Sequence, residues 1–113
     1  MSNLHSDGAE QRLRDLGIEL PSPPHPFGAY VESVQSGRLL FLSGMLPVVD
    51  HKPKYIGRLG QELDIESGRD ALRTASMSAL AAARVHLGTL DKVTRVVRLG
   101  IYLATSGDFF DQL

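Results

Sequence analysis

The residues best placed for chemistry in this sequence lie in the segment LLFLSGMLP, from Leu39 to Pro47. An apolar strand that ends in Ser43 and Gly44 puts a hydroxyl and an unhindered backbone where the chain leaves a sheet, and a small ligand can meet both there. The alternative is structural: the serine satisfies its own turn and the glycine serves backbone geometry. Tyr30, near the start of the preceding strand, either points its hydroxyl into the same region or is an ordinary half-buried strand tyrosine.

Histidines and arginines give weaker signals. The histidines lie in a tail, a proline-rich segment, a loop and a helix end: His5, His25, His51 and His86. No two have the i, i+4 spacing that puts two ligands on one helix face, so we predict no metal site. His86 is expected to interact with a helix C-terminal dipole or with solvent. Arg95 and Arg98 interrupt a hydrophobic strand and pair either with a ligand carboxylate or with acidic residues at the surface or on a neighbouring subunit; we favour the second interpretation.

The composition excludes several classes of function. Twelve Lys and Arg against thirteen Asp and Glu give a net charge of −1. The signs are interspersed, which argues against a nucleic-acid or anionic-membrane partner. The absence of cysteine rules out disulfides, thiol nucleophiles and cysteine metal sites. No signal region is visible, and no run approaches the roughly 18 apolar residues of a membrane span, so we predict a soluble cytoplasmic protein. Standard motifs such as GxSxG, HExxH and the P-loop are also missing.

The first half of the chain predicts a helix, a connector and a hairpin. A short amphipathic helix is expected over 9–16, ended by Gly17. A proline-rich connector follows over 18–27, because proline excludes helix and central strand. The hairpin spans 29–44 around a Ser36-Gly37 turn, and the continuous apolar texture of its second strand predicts a central position, buried on both faces. The stretch after Pro47 is loop-like, with a possible short strand over 55–58.

The second half predicts a long helix and a long strand. The helix runs over 66–87, with Asp64 as N-cap and Gly88 as its end. Glu66 and Asp70, like Asp64, are interpreted as complementing its dipole rather than as paired catalytic carboxylates. One apolar stripe of this helix is expected to lie on a sheet; it comprises Leu72, Ala75, Ala79, Leu80, Ala83 and Leu87. A strand over 92–104 follows from its alternating pattern, and Ser106 caps a second helix.

The order and spacing of several segments resemble the reactive-intermediate deaminase family, also called RidA, YjgF-like or endoribonuclease L-PSP-like. The matching segments are FGAYVESV, GRLLFLSGMLP, the stretch from Tyr55 to Thr105 that contains LGTLDKV, and DFF. The segment RLRDLGIELP, from Arg12 to Pro21, is similar to the RLxxLGIxLP segment that opens one branch of the family. The resemblance covers Arg12 to Phe110.

This resemblance implies a single α+β domain over 1–113, with its core over 28–113. The protomer would be chorismate-mutase-like, with a mixed sheet carrying two helices on one face. Family members form homotrimers with ligand clefts between subunits. The best-known branch hydrolyses reactive enamines and imines (2-imino acids) to 2-keto acids and ammonia, without cofactor or metal. By the resemblance, Tyr30, Ser43 and Gly44 line the cleft, and Met45 stands where many members carry glutamine.

The resemblance also sets expectations about activity. The family's carboxylate-anchoring arginine lies in a later strand, followed by a glutamate that orients water. This sequence stops before either, so no catalytic residue is assigned, and we expect a C-terminally incomplete domain lacking its last strands, with weak or no activity. The alternative function is a non-catalytic trimer that binds a small carboxylate-bearing metabolite or another protein. A ribonuclease role fits poorly with the absence of a basic surface.

Overall fold

A computed structural model describes residues 8–23, 31–50 and 52–107 of the chain. The first element is helix α1, Ala9–Asp15, which has Glu10 in its first turn and ends where Gly17 adopts φ 68°. The predicted helix over 9–16 is confirmed to within one residue. None of its residues is buried, so its position depends on polar contacts with the rest of the chain.

A reciprocal pair of polar contacts fixes α1 to the far end of the chain. The Asp91 carboxylate accepts a hydrogen bond from the Glu10 backbone N–H at 3.0 Å. In return, the Glu10 carboxylate accepts from the Leu90 N–H at 2.8 Å and from the Arg84 guanidinium at 2.7 and 3.1 Å. Each carboxylate thereby satisfies a backbone donor at the start of the other helix, since Leu90 begins the 3-10 helix Leu90–Lys92.

The predicted hairpin is present, with shorter strands than expected. Strands β1, Ser33–Ser36, and β2, Leu39–Leu42, pair antiparallel with Val34 opposite Phe41. Gly37 makes the turn possible with φ 59°, a conformation that costs glycine little. The expectation that β2 is central and buried on both faces is wrong. Phe41 is 56% exposed, because among the described residues β2 pairs with β1 alone and one face of the hairpin is uncovered.

A second, smaller antiparallel pair follows. Strands β3, Val48–Val49, and β4, Lys52–Pro53, pair with Val48 opposite Pro53. They replace the short strand predicted over 55–58, which is loop in the structure. A two-stranded ribbon tolerates Pro53 because an edge strand has backbone N–H positions that need no partner.

The long helix α2, Ile65–Leu87, begins and ends where the sequence predicts. The Asp64 side chain accepts from the Ser67 N–H at 2.8 Å, and Gly88 ends the helix with φ 85°. The predicted buried stripe is mostly wrong. Of its residues Ala83 is buried, whereas Leu72 and Leu80 are 37% and 40% exposed. The buried helix positions are mostly small: Gly68, Thr74, Ser78, Ala81, Ala82 and Ala83.

Small residues decide which side of α2 is covered, because they let neighbouring segments approach the helix axis closely. Leu59 packs against Gly68 so tightly that a Cβ built on this glycine would lie 2.6 Å from the Leu59 Cδ2. The described core is accordingly small, with buried apolar side chains at Leu59, Ala81, Ala82, Ala83 and Leu90. Neither described helix is long and apolar enough to cross a membrane.

The strand predicted over 92–104 does not form. Residues 93–104 have no strand assignment, and Val96 and Leu99 are each 73% exposed. The chain regains backbone pairing only at its end, where the Leu59 N–H donates to the Ala104 carbonyl and the Ser106 N–H to the Leu59 carbonyl, both at 2.9 Å. An alternating sequence becomes a strand only beside a ladder partner, and the described residues supply none. The helix predicted after Ser106 lies largely outside the described residues.

The architecture is α+β, as predicted, with two helices and small antiparallel sheets. Within the described ranges the sheets are two separate antiparallel pairs rather than one mixed sheet. Helix α2 contacts both strands of the hairpin as well as the 3-10 helix, so the hairpin is held against α2 by one of its two faces.

Candidate functional site

The predicted site residue Ser43 continues the hairpin one step beyond its paired strands. Its backbone N–H donates to the Glu32 carbonyl at 2.9 Å, so Ser43 and Glu32 lie opposite each other in the antiparallel register. Directly opposed residues place their side chains on the same face of a hairpin. The Ser43 main-chain donor is therefore committed to the fold, and the hydroxyl is the group that Ser43 can offer to a ligand.

Gly44 has no structural requirement for glycine within the described residues. Its φ lies outside the left-handed region where glycine is favoured. A Cβ added to it would meet nothing within 4 Å. Neither a left-handed backbone nor a close contact within the described residues requires glycine here, and the ligand and structural interpretations of this position both stay predictions. A glycine with open space around it leaves its main chain accessible to another group. Met45, next along the chain, is half-buried.

Glu32 is a chemically capable residue that the sequence analysis did not single out. Its Oε1 atom is buried and has no hydrogen-bond partner among the described residues. An unsatisfied buried acceptor costs about 1–3 kcal/mol, so this oxygen would be stabilised by any donor that reached it. Strand alternation was the available signal, since it groups Glu32 with Tyr30 and Val34. Tyr30 itself lies outside the described residues.

The face of the hairpin that carries Glu32 and Ser43 is turned away from α2, and we call it the distal face. It also carries Val34, Leu39 and Phe41, which are 51%, 47% and 56% exposed. The opposite face meets α2, where His86 contacts Ser33 and Gln35. The candidate site therefore consists of two polar side chains and one open glycine at the end of an uncovered apolar surface.

Other candidate residues lie elsewhere. His86 is exposed in the last turn of α2, as expected, and its ring nitrogens also lie 3.2 Å from Ser33 Oγ and 2.8 Å from Gln35 Oε1. Arg95 and Arg98 lie on the exposed segment 93–104 and make no ion pair within the described residues. Neither side chain joins Ser43 and Glu32, and no group of three His, Cys, Asp or Glu that could hold a metal occurs in the described part of the chain.

The carboxylates at the start of α2 are engaged in structural contacts. The Ser67 backbone N–H that caps the helix holds the pKa of Asp64 below its ordinary value. Asp70 accepts from the Lys54 ammonium and the Tyr55 hydroxyl, both at 2.6 Å, and these two donors lower its pKa. The same bond to Asp70 raises the pKa of Tyr55. Because its pKa is raised, the Tyr55 phenol stays protonated and little phenolate forms, so this cluster fixes the loop to α2.

A shallow depression of about 400 Å³ lies beside the same helix start. It is lined by the segment 60–64 and by Ser67. Helix N-terminal donors favour anions, but here the Asp64 carboxylate already occupies the Ser67 N–H, and the Glu62 carboxylate accepts from the Arg58 N–H at 2.8 Å. Two carboxylates already fill the anion positions, so the strand end remains the better candidate site.

Comparison with solved structures defines the class of fold. The chain superposes on a protein of unknown function from Agrobacterium tumefaciens with a TM-score of 0.79 and 33% identity, covering 98% of this chain and 68% of that one. It also matches a Shewanella oneidensis protein described as a "putative endoribonuclease", with a TM-score of 0.69 and 32% identity. That match covers 74% of this chain and 56% of the Shewanella protein, so this chain spans little more than half its length. The fold is YjgF/L-PSP-like.

Sequence comparison then defines the family. Protein TCP17 of Trypanosoma cruzi is 36% identical over 112 residues, which cover 99% of this chain and 70% of TCP17. No family profile matches the chain. The chain belongs to the family that includes TCP17, within the YjgF/L-PSP-like fold.

Proposed function

We propose that this protein binds, and in its active form hydrolyses, reactive enamines and imines derived from 2-amino acids. The clefts would lie between the subunits of a homotrimer in the cytoplasm. The ligand is a small metabolite carrying a carboxylate, and the reaction needs neither cofactor nor metal. Ser43, Gly44 and Met45 contribute to the cleft, together with Tyr30 as the resemblance implies.

The observation that carries this proposal is Gly44. Its backbone conformation and its surroundings leave room for a side chain, yet the chain has glycine there, directly after the Ser43 hydroxyl. Close approach of a planar ligand to the main chain accounts for the glycine. The C=N group and carboxylate of a 2-imino acid make such a ligand, because they are flat and rich in hydrogen-bonding atoms.

Glu32 supports an imine in particular. A protonated imine carries an N–H donor and a positive charge, and both are complementary to the unpartnered Glu32 Oε1. Imine hydrolysis also requires an acceptor that manages protons while water adds to the carbon. A carboxylate opposite Ser43 is well placed for either task. In the family that the chain resembles, an arginine of a later strand anchors the ligand carboxylate, and no residue of this sequence is matched to it.

The uncovered distal face supports the trimer. Val34, Leu39 and Phe41 form an exposed apolar surface next to the site, and such surfaces commonly mark protein interfaces. A cleft between subunits would bring a second chain close to Ser43 and Gly44. The proposed ligand needs this second chain, because Ser43 and Glu32 alone do not enclose it.

The alternative is a non-catalytic binding trimer on the same fold. It is favoured by Met45, whose thioether is a weak acceptor and no donor at a position where many similar proteins carry glutamine. RNA cleavage, which the description of the Shewanella protein would suggest, is disfavoured by the net charge of −1.

Titration of the chain with 2-ketobutyrate, followed by NMR, tests the proposal at its first step. We expect shifts at Ser43, Gly44 and Glu32, and about a tenfold loss of affinity, about 1.4 kcal/mol, in Gly44→Val. Gly107→Val is the matched control, because Gly107 likewise has open space around it and no left-handed φ. Failure of the wild-type protein to bind, when it is assembled as a trimer, contradicts both ligand-based functions. Hydrolysis of 2-iminobutyrate, generated by a threonine dehydratase, then separates them: activity supports the deaminase, and binding without activity supports the alternative.

A further inference from the structure

On the α2-facing side of the hairpin, three side chains form a continuous chain of hydrogen bonds. His86, in the last turn of α2, places Nδ1 3.2 Å from Ser33 Oγ and Nε2 2.8 Å from Gln35 Oε1. The Gln35 Nε2 in turn donates to the Gly37 carbonyl at 3.0 Å. These hydrogen bonds connect β1, the hairpin turn and the C-terminal end of α2, and no residue of the candidate site takes part in them.

The chemistry of these groups fixes the direction of every bond. The Gly37 carbonyl can only accept, so the Gln35 amide must present its NH₂ to Gly37 and its oxygen to His86. That oxygen can also only accept, so the neutral imidazole carries its proton on Nε2. Nδ1 is then a free base, and the Ser33 hydroxyl must donate to it. The arrangement matches the logic of a serine, a histidine base and an acceptor that sets the histidine tautomer.

We propose that Ser33 is a reactive nucleophile toward small activated acyl and phosphonyl compounds, with His86 as its general base and Gln35 as the positioning residue. In the reaction with a fluorophosphonate, the Ser33 Oγ–P bond forms and the P–F bond breaks. The serine proton passes to His86 Nδ1, and fluoride leaves with the bonding electrons. With an aryl ester, the same attack forms an Oγ–acyl bond and releases the aryl oxide.

The fold holds these groups in place and leaves them accessible. Ser33 lies in the ladder opposite Leu42, which fixes its backbone. His86 is in the last turn of α2, two residues before the Gly88 C-cap. The hydrogen bonds from His86 to Ser33 and Gln35 are solvent-exposed, so a small electrophile can reach Oγ. Strand alternation puts this site and Ser43 on opposite faces of the hairpin, and it is independent of the proposed imine site.

Labelling of the full chain with a fluorophosphonate probe, mapped by mass spectrometry, tests the proposal. We expect modification at Ser33 that is lost in Ser33→Ala. We also expect it to slow at least tenfold in His86→Phe and less in Gln35→Leu, where the base remains but its orientation is lost. Ser36→Ala is the matched control: Ser36 is on the same strand without a histidine contact and should leave the rate unchanged.

Nitrogen NMR of the histidine ring supplies a second measurement that does not depend on reactivity. We expect neutral His86 to carry its proton on Nε2 in the wild-type protein and to become a mixture of tautomers in Gln35→Leu. An Nδ1-protonated His86, absence of label at Ser33, or a labelling rate unchanged by His86→Phe would each overturn the proposal.

Discussion

Truncation of Glu10 to alanine should weaken the attachment of helix α1, leaving the hydrogen bond from its backbone N–H to Asp91. The wild-type carboxylate accepts from the Leu90 N–H at 2.8 Å and from two nitrogens of Arg84 at 2.7 and 3.1 Å. It supplies the side-chain half of the reciprocal contact that holds α1, a helix with no fully buried residue. Glu10→Ala removes all three bonds and leaves the backbone donor of Leu90, a residue only 2% exposed, without its partner.

The magnitude follows from the environment of each donor. A buried N–H left unpaired costs about 1–3 kcal/mol. The ion pair adds less, because the Arg84 side chain is 38% exposed and solvent screens it, so we assign it about 0.5 kcal/mol. Together these give about 1.5–3.5 kcal/mol, a large share of the 5–15 kcal/mol typical of a domain. The melting temperature should fall by about 10 °C.

The pH dependence gives an independent measurement. The Arg84 guanidinium, followed by the Leu90 N–H, holds the pKa of Glu10 below its ordinary value. A carboxyl whose pKa is lower in the folded state stabilises the protein above its unfolded pKa of about 4.3, and this stability is lost as pH falls through the folded value. Glu10→Gln, which cannot ionise, should therefore lose stability at neutral pH and show a smaller further loss on acidification than the wild type.

Thermal unfolding from pH 7 to 3, with amide hydrogen exchange at Leu90, measures both effects. Glu66→Gln is the control, because its ion pair with Arg69 is on the surface, with side chains 77% and 72% exposed, and should contribute little. A melting temperature within about 2 °C of wild type, together with unchanged exchange at Leu90, would refute the argument that Glu10 holds α1 in place.

Three further predictions follow from packing, capping and titration. Gly68→Ala places a Cβ 2.6 Å from the Leu59 Cδ2, and since Leu59 is buried, the overpacked variant should lose about 1–3 kcal/mol in denaturant unfolding. Asp64→Ala removes the cap of α2 and should lower the melting temperature by several degrees. Asp64→Asn keeps a capping oxygen and should retain most of the stability that the cap contributes. The pKa of Tyr55 is raised by its bond to Asp70, so absorbance titration should show it ionising at higher pH than in Asp70→Asn.

Each of these has a matched comparison within the chain. Gly107→Ala, at a position with open space, should leave stability unchanged; equal losses at Gly68 and Gly107 would contradict the packing argument. Glu66→Ala removes an acidic residue of the first turn without removing the cap. If it lowers the melting temperature as much as Asp64→Ala does, the effect comes from the interaction of negative charge with the helix dipole and not from the cap. The wild-type and Asp70→Asn titrations of Tyr55 are compared directly, and ionisation at the same pH in both would show that the Asp70 bond is absent in solution.

Local signals in the sequence predicted the elements whose ends are marked by capping chemistry. Asp64 and Gly88 bracket α2, Gly17 ends α1, and Gly37 turns the hairpin, all as expected, because caps and left-handed glycines act within a few residues. Burial was predicted less well. The alternation over 93–104 indicated a strand, but strand formation depends on a partner that local sequence does not specify.

The covered side of α2 was misjudged for a related reason. The helical periodicity predicted burial of the large residues Leu72 and Leu80, whereas the buried residues of α2 include Gly68, Ser78 and Ala82. Close approach favours small side chains, and Leu59 makes use of the missing Cβ of Gly68. For the candidate site, the sequence motif predicts Ser43 and Gly44, and both stay predictions. Glu32 became a candidate only when the hairpin register placed it opposite Ser43 and its Oε1 had no partner among the described residues.

The two proposed sites depend on one structural quantity, the register of the hairpin. With Val34 opposite Phe41, Ser33 and Gln35 face His86, and Glu32 and Ser43 face away from it. A slip of one residue would exchange the two sets, because side chains alternate with period two. It would put the Glu32 carboxylate against the end of α2, where the C-terminal carbonyls disfavour negative charge, and would move Ser33 away from its base. The contacts of His86 therefore oppose such a slip, and the same residues that define the Ser33 site help to keep Glu32 and Ser43 on the distal face.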